Sequence, residues 1–174
     1  MPSPEVYVCD ADCLINLHRH FGKRALAELR RLGKRGDLKI PEGVIREIIR
    51  GTDKLAKFLE KQQHSLSVAV SADPRLPPEI AKLENRYGET IIFGEQRYGG
   101  FWTSRAGRKA ADAQVVAVAK LLKCVAVSDD RAVKLVCALE GVQCIGWSEF
   151  ARRLGLIKPQ QLDLGFGSGA KGGG

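Results

Sequence analysis

The segment KAADAQVVAVAKLLKCVAVSDD, residues 109–130, restricts the fold more than any other part of the chain. Residues 109–123 have helical composition and are apolar nearly all round, the mark of a helix buried on most faces. CVAVS, 124–128, follows at once and reads as a buried strand. A buried helix feeding directly into a buried strand is the building unit of layered α/β folds. The rest of the chain keeps that alternation. VYVC (6–9) reads as a strand, with Asp12 placed to cap the helix that follows. Residues 23–35 form an amphipathic helix, with Leu26, Leu29 and Leu32 inward and a solvated basic face. LKI (38–40) is a short strand, and PEGVIREII (41–49) is a helix with Pro41 near its first turn. A second helix runs to about Gln63, with Leu55, Phe58 and Leu59 inward. SLSVAV (65–70) alternates with period two and predicts a strand. Prolines 74, 77 and 78 mark a loop, residues 79–98 read as helical in pieces, and 98–108 as a glycine-rich basic loop carrying aromatics. Arg131–Glu140 is a helix, VQCIG (142–146) a strand, and Ser148 the expected cap of a last short helix. The pattern predicts an α/β fold with a mainly parallel central sheet flanked by helices, whose sites form at the carboxyl ends of strands.

A chain of 174 residues suits one domain that needs no disulfide staples. We place that domain at residues 1–157. Periodicity is lost near Pro159, and residues 158–174, ending in GFGSGAKGGG, read as a flexible tail. The five cysteines lie within or beside apolar runs, with no C-x-x-C pair, and read as reduced core residues. No signal peptide precedes the first strand, and no run approaches the roughly 20 apolar residues a membrane span needs. The expected compartment is the cytoplasm. A formal net charge of +8 points to a polyanionic partner, nucleic acid first.

Acids stand where apolar residues or neutral caps are expected. Asp10 ends the first strand, with Asp12 beside it. Glu47 borders the apolar stripe of its helix. Asp112 is the only acid of the 109–123 helix. Asp129 and Asp130 follow CVAV. Each alone has a bland reading as a cap, a helix-dipole partner or a surface acid. Together they flank segments whose ends converge on one rim. Two carboxylates about 5 Å apart repel by roughly 3 kcal/mol at an effective dielectric near 20, so four would strain a domain of ordinary stability. Protons or hard cations relieve the strain. Mg²⁺ and Mn²⁺ prefer oxygen ligands and assist displacement at phosphorus. An acidic metal site on a basic protein suits phosphodiester hydrolysis.

The order of VCDADCLIN, IPEGVIREI, ADAQVVAVAKLLKCVAVSDD and EGVQCIGWSEF, over roughly residues 5–156, resembles a PIN domain. The resemblance implies a Rossmann-like sheet and a metal-dependent endoribonuclease, a hydrolase with Asp10, Glu47, Asp112 and Asp130 on Mg²⁺ or Mn²⁺. Asp129 would be auxiliary, and Ser128 would orient an acid. Many PIN domains resemble VapC toxins, which implies a homodimer and a small antitoxin partner. The stretch 71–108 is longer than the family pattern and reads as an insertion or extended helical clip. In its loop, Arg97, Arg105, Arg108 and Lys109 are candidates to grip RNA phosphates. Tyr98, Phe101 and Trp102 are candidates to stack bases, against the alternative that they pack in the core or a dimer interface. His18, His20 and His64 have no partner spacing that suggests a triad.

Three rivals stand beside this reading. VCDADC also fits a phosphatase of the haloacid dehalogenase type, with Asp10 as nucleophile, Asp12 as acid/base, and Lys123 with Asp129–Asp130 as later motifs. That class lacks its usual Gly-Asp turn here and leaves Glu47 and Asp112 without a role. The second is a nuclease-like domain that binds RNA or protein without cutting. The third is an RNA-processing nuclease outside any toxin pair.

Overall fold

A computed structural model describes residues 4–103 and 111–158. Five parallel strands form the central sheet: β1 (Tyr7–Cys9), β2 (Leu38–Pro41), β3 (Ser67–Val68), β6 (Val125–Val127) and β7 (Cys144–Ile145), in the order β3-β2-β1-β6-β7. The fold class is α/β, as the alternation predicted. β1 lies at the centre with every residue buried, as a strand covered on both faces must be. Eight helices belong to the described residues: α1 (Ala11–Phe21), α2 (Lys23–Arg35), α3 (Glu42–Ile49), α4 (Lys54–Leu66), α5 (Leu76–Tyr87), α6 (Asp112–Leu122), α7 (Arg131–Glu140) and α8 (Trp147–Arg153). The apolar helix of the opening segment is α6. It packs on β1, β2 and β6 and buries Ala113, Val115, Val116, Ala117, Val118 and Ala119.

Five local expectations are corrected. Asp12 does not cap α1: the strand ends so close to the helix that Asp10 is itself the N-cap, and Asp12 falls in the first turn. Ser148 does not cap α8, which opens at Trp147 with Gly146 as its N-cap. The strand expected over 65–70 shrinks to Ser67–Val68, because α4 continues through the buried Leu66. Pro77 and Pro78 open α5 at its first turn instead of marking a loop, and residues 79–98 are helical only as far as Tyr87. Beyond it lie β4 (Thr90–Phe93) and β5 (Gln96–Gly99), an antiparallel hairpin apart from the main sheet. Gly94 supplies the left-handed backbone, φ +62°, that its two-residue turn requires.

Within the stretch read as an insertion, α5 is tied to the body by charge. Lys120 Nζ on α6 donates to Glu79 Oε1 at 2.5 Å and to Glu140 Oε2 at 2.8 Å, and the Tyr87 hydroxyl donates to Glu140 Oε1 at 2.6 Å. All five cysteines are free. No described helix is long and apolar enough to cross a membrane. The tail expected from residue 158 lies outside the described residues, Lys158 excepted.

Candidate active site

Sheet register creates the site. Cys9 on β1 pairs with Val127 on β6, so the next residues, Asp10 and Ser128, emerge side by side at the carboxyl rim. Asp10 is 5% exposed and Ser128 is fully buried. Both Asp10 oxygens accept hydrogen bonds: Oδ1 from the Cys13 amide at 2.8 Å, which caps α1, and Oδ2 from the Ser128 hydroxyl. Ser128 Oγ in turn accepts from the Asp130 amide at 3.1 Å. One hydroxyl therefore fixes Asp10 and the backbone of Asp130 together. Asp130 Oδ1 caps α7 through the Val133 amide at 3.0 Å, leaving its other oxygen uncommitted among the described residues.

Two more acids reach the rim on helices. Asp112 is the first residue of α6. The start of α3 lies against it, with the Gly43 amide donating to Gln114 Oε1 at 3.0 Å. A side chain at Gly43 would stand 2.9 Å from Ala111 Cβ, so only glycine lets the helices approach this closely. Glu47 lies four residues after Gly43, on the same helix face, and so points toward the start of α6. It is exposed at the rim, where the sequence placed it along the apolar stripe.

The electrostatics show that these acids feel one another. Asp112 is pushed up to about 7, first by burial, then by the charges of Asp130, Asp10, Glu47 and Asp12. Asp10 is pushed up to about 6, again first by burial; the Ser128 and Cys13 hydrogen bonds oppose the rise, and Asp12 and Asp130 add to it. Glu47 is raised by burial and by Asp12, and lowered by Arg50. Burial thus exceeds the mutual repulsion that the sequence stressed. Among the described residues, none of Asp10, Asp12, Glu47, Asp112 and Asp130 forms an ion pair with a Lys, Arg or His. Buried carboxylates are ordinarily paired or bound to metal.

Asp12 is the acid that sequence reasoning set aside. Its charge acts on Asp10, Asp112 and Glu47 alike. The available signal was its place one turn beyond the strand end. Asp129 faces elsewhere. Its Oδ2 accepts from the Trp147 amide at 2.9 Å and its Oδ1 lies 3.3 Å from Lys134 Nζ, so it fastens the start of α8. It is not among the largest charges that act on Asp10 and Asp112, though it acts on the neighbouring Cys13.

The loop candidates divide. Arg97 is opposite Ile92 on the hairpin and lines a different groove, with Arg86, Tyr87 and Leu139. Phe101 is buried in the core, Trp102 packs over Gly88, and the half-buried Tyr98 donates to Gln96. These placements favour packing over base stacking. Arg105, Arg108 and Lys109 lie outside the described residues.

The donor set fits a hard cation in kind. It is carboxylate oxygen throughout, it carries an uncompensated negative charge, and it gathers at one rim. Among the described residues no three His, Cys, Asp or Glu side chains stand close enough to enclose an ion. Ser128→Ala should weaken Mn²⁺ binding by about 10- to 100-fold, the usual cost of removing a group that orients a ligand. Ser128→Thr should restore most of it. Calorimetric titration with Mn²⁺ reads both; unchanged affinity in Ser128→Ala would show that the hydroxyl does not position Asp10.

Among solved structures, the crystal structure of PAE2754 from Pyrobaculum aerophilum is similar to this chain. The match has a TM-score of 0.50 at 18% identity and covers 90% of this chain and 100% of the other. At that identity the likeness shows the fold alone. A search of curated protein sequences found no match. The family model of the PIN domain matches residues 7–139. This chain therefore belongs to the PIN-domain family, whose members are in general metal-dependent nucleases that act on RNA.

Proposed function

We propose that the chain is an Mg²⁺- or Mn²⁺-dependent endoribonuclease. The observation that carries this reading is the set of partly buried carboxylates at the sheet's carboxyl rim, with Asp112 pushed up to about 7 and no basic side chain paired to it among the described residues. Asp10, Glu47, Asp112 and Asp130 would hold the cation, with Asp12 as the exposed fifth acid and Asp129 left to its structural contacts. The cation would supply Lewis-acid stabilisation of charge developing at phosphorus and lower the pKa of water. The protein's own work is positional. Ser128 locks the rotamer of Asp10, the α7 cap locks Asp130, and the glycine contact at Gly43 sets α3, with Glu47, against α6. The net charge of +8 draws the RNA backbone to the protein.

By its likeness to VapC proteins we further read the chain as the toxin of a toxin–antitoxin pair, working in the cytoplasm as a homodimer with a small antitoxin. What supports this is the motif resemblance around ADAQVVAVAKLLKCVAVSDD. Growth arrest on expression, relieved by a neighbouring small open reading frame, is the expected result. Expression without arrest would leave a processing nuclease.

The closeness of Asp12 to Asp10 gives the phosphatase reading one point in its favour. Both oxygens of Asp10 are already held by hydrogen bonds, which suits a fixed ligand better than a nucleophile. Cleavage of a mixed, partly single-stranded RNA pool separates the readings. Wild type should cut in Mg²⁺ or Mn²⁺ and not in EDTA, and Asp10→Asn should lose about 10²- to 10³-fold in rate, the scale of losing a preorganised charge-stabilising group. A folded wild-type protein that leaves RNA intact but hydrolyses a phosphomonoester would overturn the nuclease reading.

A further inference from the structure

Next to Asp130 the structure holds a cleft of about 310 Å³. Gly99, Gly100, Phe101 and Thr103, at the end of the hairpin, form one wall. Asp130, Arg131 and Ala132, at the start of α7, form the other. We propose that this cleft binds one unpaired ribonucleotide beside the scissile phosphate, with Arg131 gripping a phosphate oxygen; the proposal rests on the nuclease reading and deepens it.

Size comes first. The volume is at the low end for ligand pockets, which suits a single nucleotide and excludes a duplex. Charge is second. The Arg131 side chain is exposed and makes no ion pair or hydrogen bond among the described residues. Arg75, Arg152 and Arg153, by contrast, are held by Asp73, by Glu149, and by Glu5 and Glu149 respectively. A guanidinium on the same wall as Asp130, one residue after a carboxylate that acts on the acid cluster, suits a phosphodiester: the anion meets the arginine, and the reacting phosphorus lies toward the acids.

The wall opposite is rigid. The Gly100 amide donates to Glu89 O at 2.9 Å and the Trp102 amide to Gly88 O at 2.8 Å, which presses residues 99–103 onto the end of α5. Thr103 Oγ1 donates to Gly100 O at 2.8 Å and closes the turn. A fixed wall with two glycines at its centre leaves room for a flat base beside them and selects by shape. The stretch read as an insertion thereby gains a role: it builds one side of the substrate cleft.

Two measurements test this on the full chain. In the first, the four ribonucleoside 5′-monophosphates are titrated separately in Mg²⁺ while backbone amides are followed by NMR. The amides of Gly99, Gly100 and Ala132 should shift and saturate. Affinity should fall about tenfold in Arg131→Ala, and binding should vanish in Ala132→Leu, which fills the cleft. Shifts centred elsewhere, or variants that bind like wild type, would overturn the proposal. In the second, cut sites are mapped on a random RNA pool in Mn²⁺. Ala132→Leu should raise KM and alter base preference next to the cut while leaving Mn²⁺ affinity unchanged. An unaltered cut pattern and KM would also overturn the proposal. If wild type does not cut at all, the nuclease reading falls, and the first measurement alone decides whether the cleft binds nucleotides.

Discussion

Asp112→Asn should sharply reduce RNA cleavage and, in the same protein without metal, raise stability at pH 8. The loss of activity should reach about 10²- to 10³-fold, because a neutral amide removes a charged donor from the rim. The gain in stability follows from linkage. Folding lifts the Asp112 carboxyl from its ordinary range, near 4, to about 7. The folded state thus holds a proton that the unfolded state has released. The stabilisation associated with that proton is fully present below about pH 4 and is lost as pH rises through about 7. Above that, ionised Asp112 costs the metal-free fold on the order of 4 kcal/mol. Asparagine keeps the shape and removes the charge, so the variant should recover about 2 kcal/mol at pH 8, a rise in Tm of about 4–8 °C. At pH 4 the two proteins should melt together. Added Mn²⁺ at pH 8 should raise the Tm of wild type and leave the variant nearly unmoved. Thermal melts at both pH values, with and without Mn²⁺, check every arm. A variant less stable than wild type at pH 8 would mean that Asp112 has a cationic partner, and the metal reading of the rim would fail.

The same balance explains what was legible in the sequence. Strands buried on both faces must be apolar, so VYVC and CVAVS announced themselves, and an acid at their ends stood out. Arg131–Glu140 was legible because Asp130 before it and Gly141 after it are strong stop signals, one a side-chain cap and the other left-handed at φ +69°. Ser128 with Asp130 was legible as a spacing. The position of Asp12 was not, because a strand and helix separated by one residue leave two aspartates competing for one cap, and only the turn geometry decides for Asp10. The hairpin was missed for a different reason. Its strands span four residues each; TIIF and the turn at Gly94 were cues for a strand and a hairpin, but Gln96 and Arg97 carry helix-like propensity and the run from Leu76 reads on as helix. Short strands take their identity from what they pack against, here α5 and α7. The acids' mutual influence was legible as a sign but not as a ranking, since burial depends on the whole surround.

Gly100→Ala should be the most damaging small substitution in the chain outside the acid rim. A Cβ on residue 100 would lie 2.0 Å from the carbonyl oxygen of Tyr87 and 2.6 Å from that of Gly88. Both are backbone atoms at the end of α5, so no rotamer change relieves the contact. The segment must lift away, which strains its Glu89 and Gly88 hydrogen bonds. The cost should be about 3 kcal/mol, the upper part of the range for overpacking, or a fall in Tm of about 6–12 °C. Gly94→Ala provides the control. Its Cβ would meet nothing within 4 Å, and the substitution carries only the left-handed backbone penalty at φ +62°, about 1 kcal/mol. Because residues 99–103 form a wall of the cleft beside Asp130, Gly100→Ala should also raise KM for RNA while Mn²⁺ affinity stays within about twofold. Equal melting temperatures for the two variants would show that the hairpin does not press on α5. A loss of Mn²⁺ affinity as large as the loss in KM would instead place the hairpin's influence on the acid rim itself.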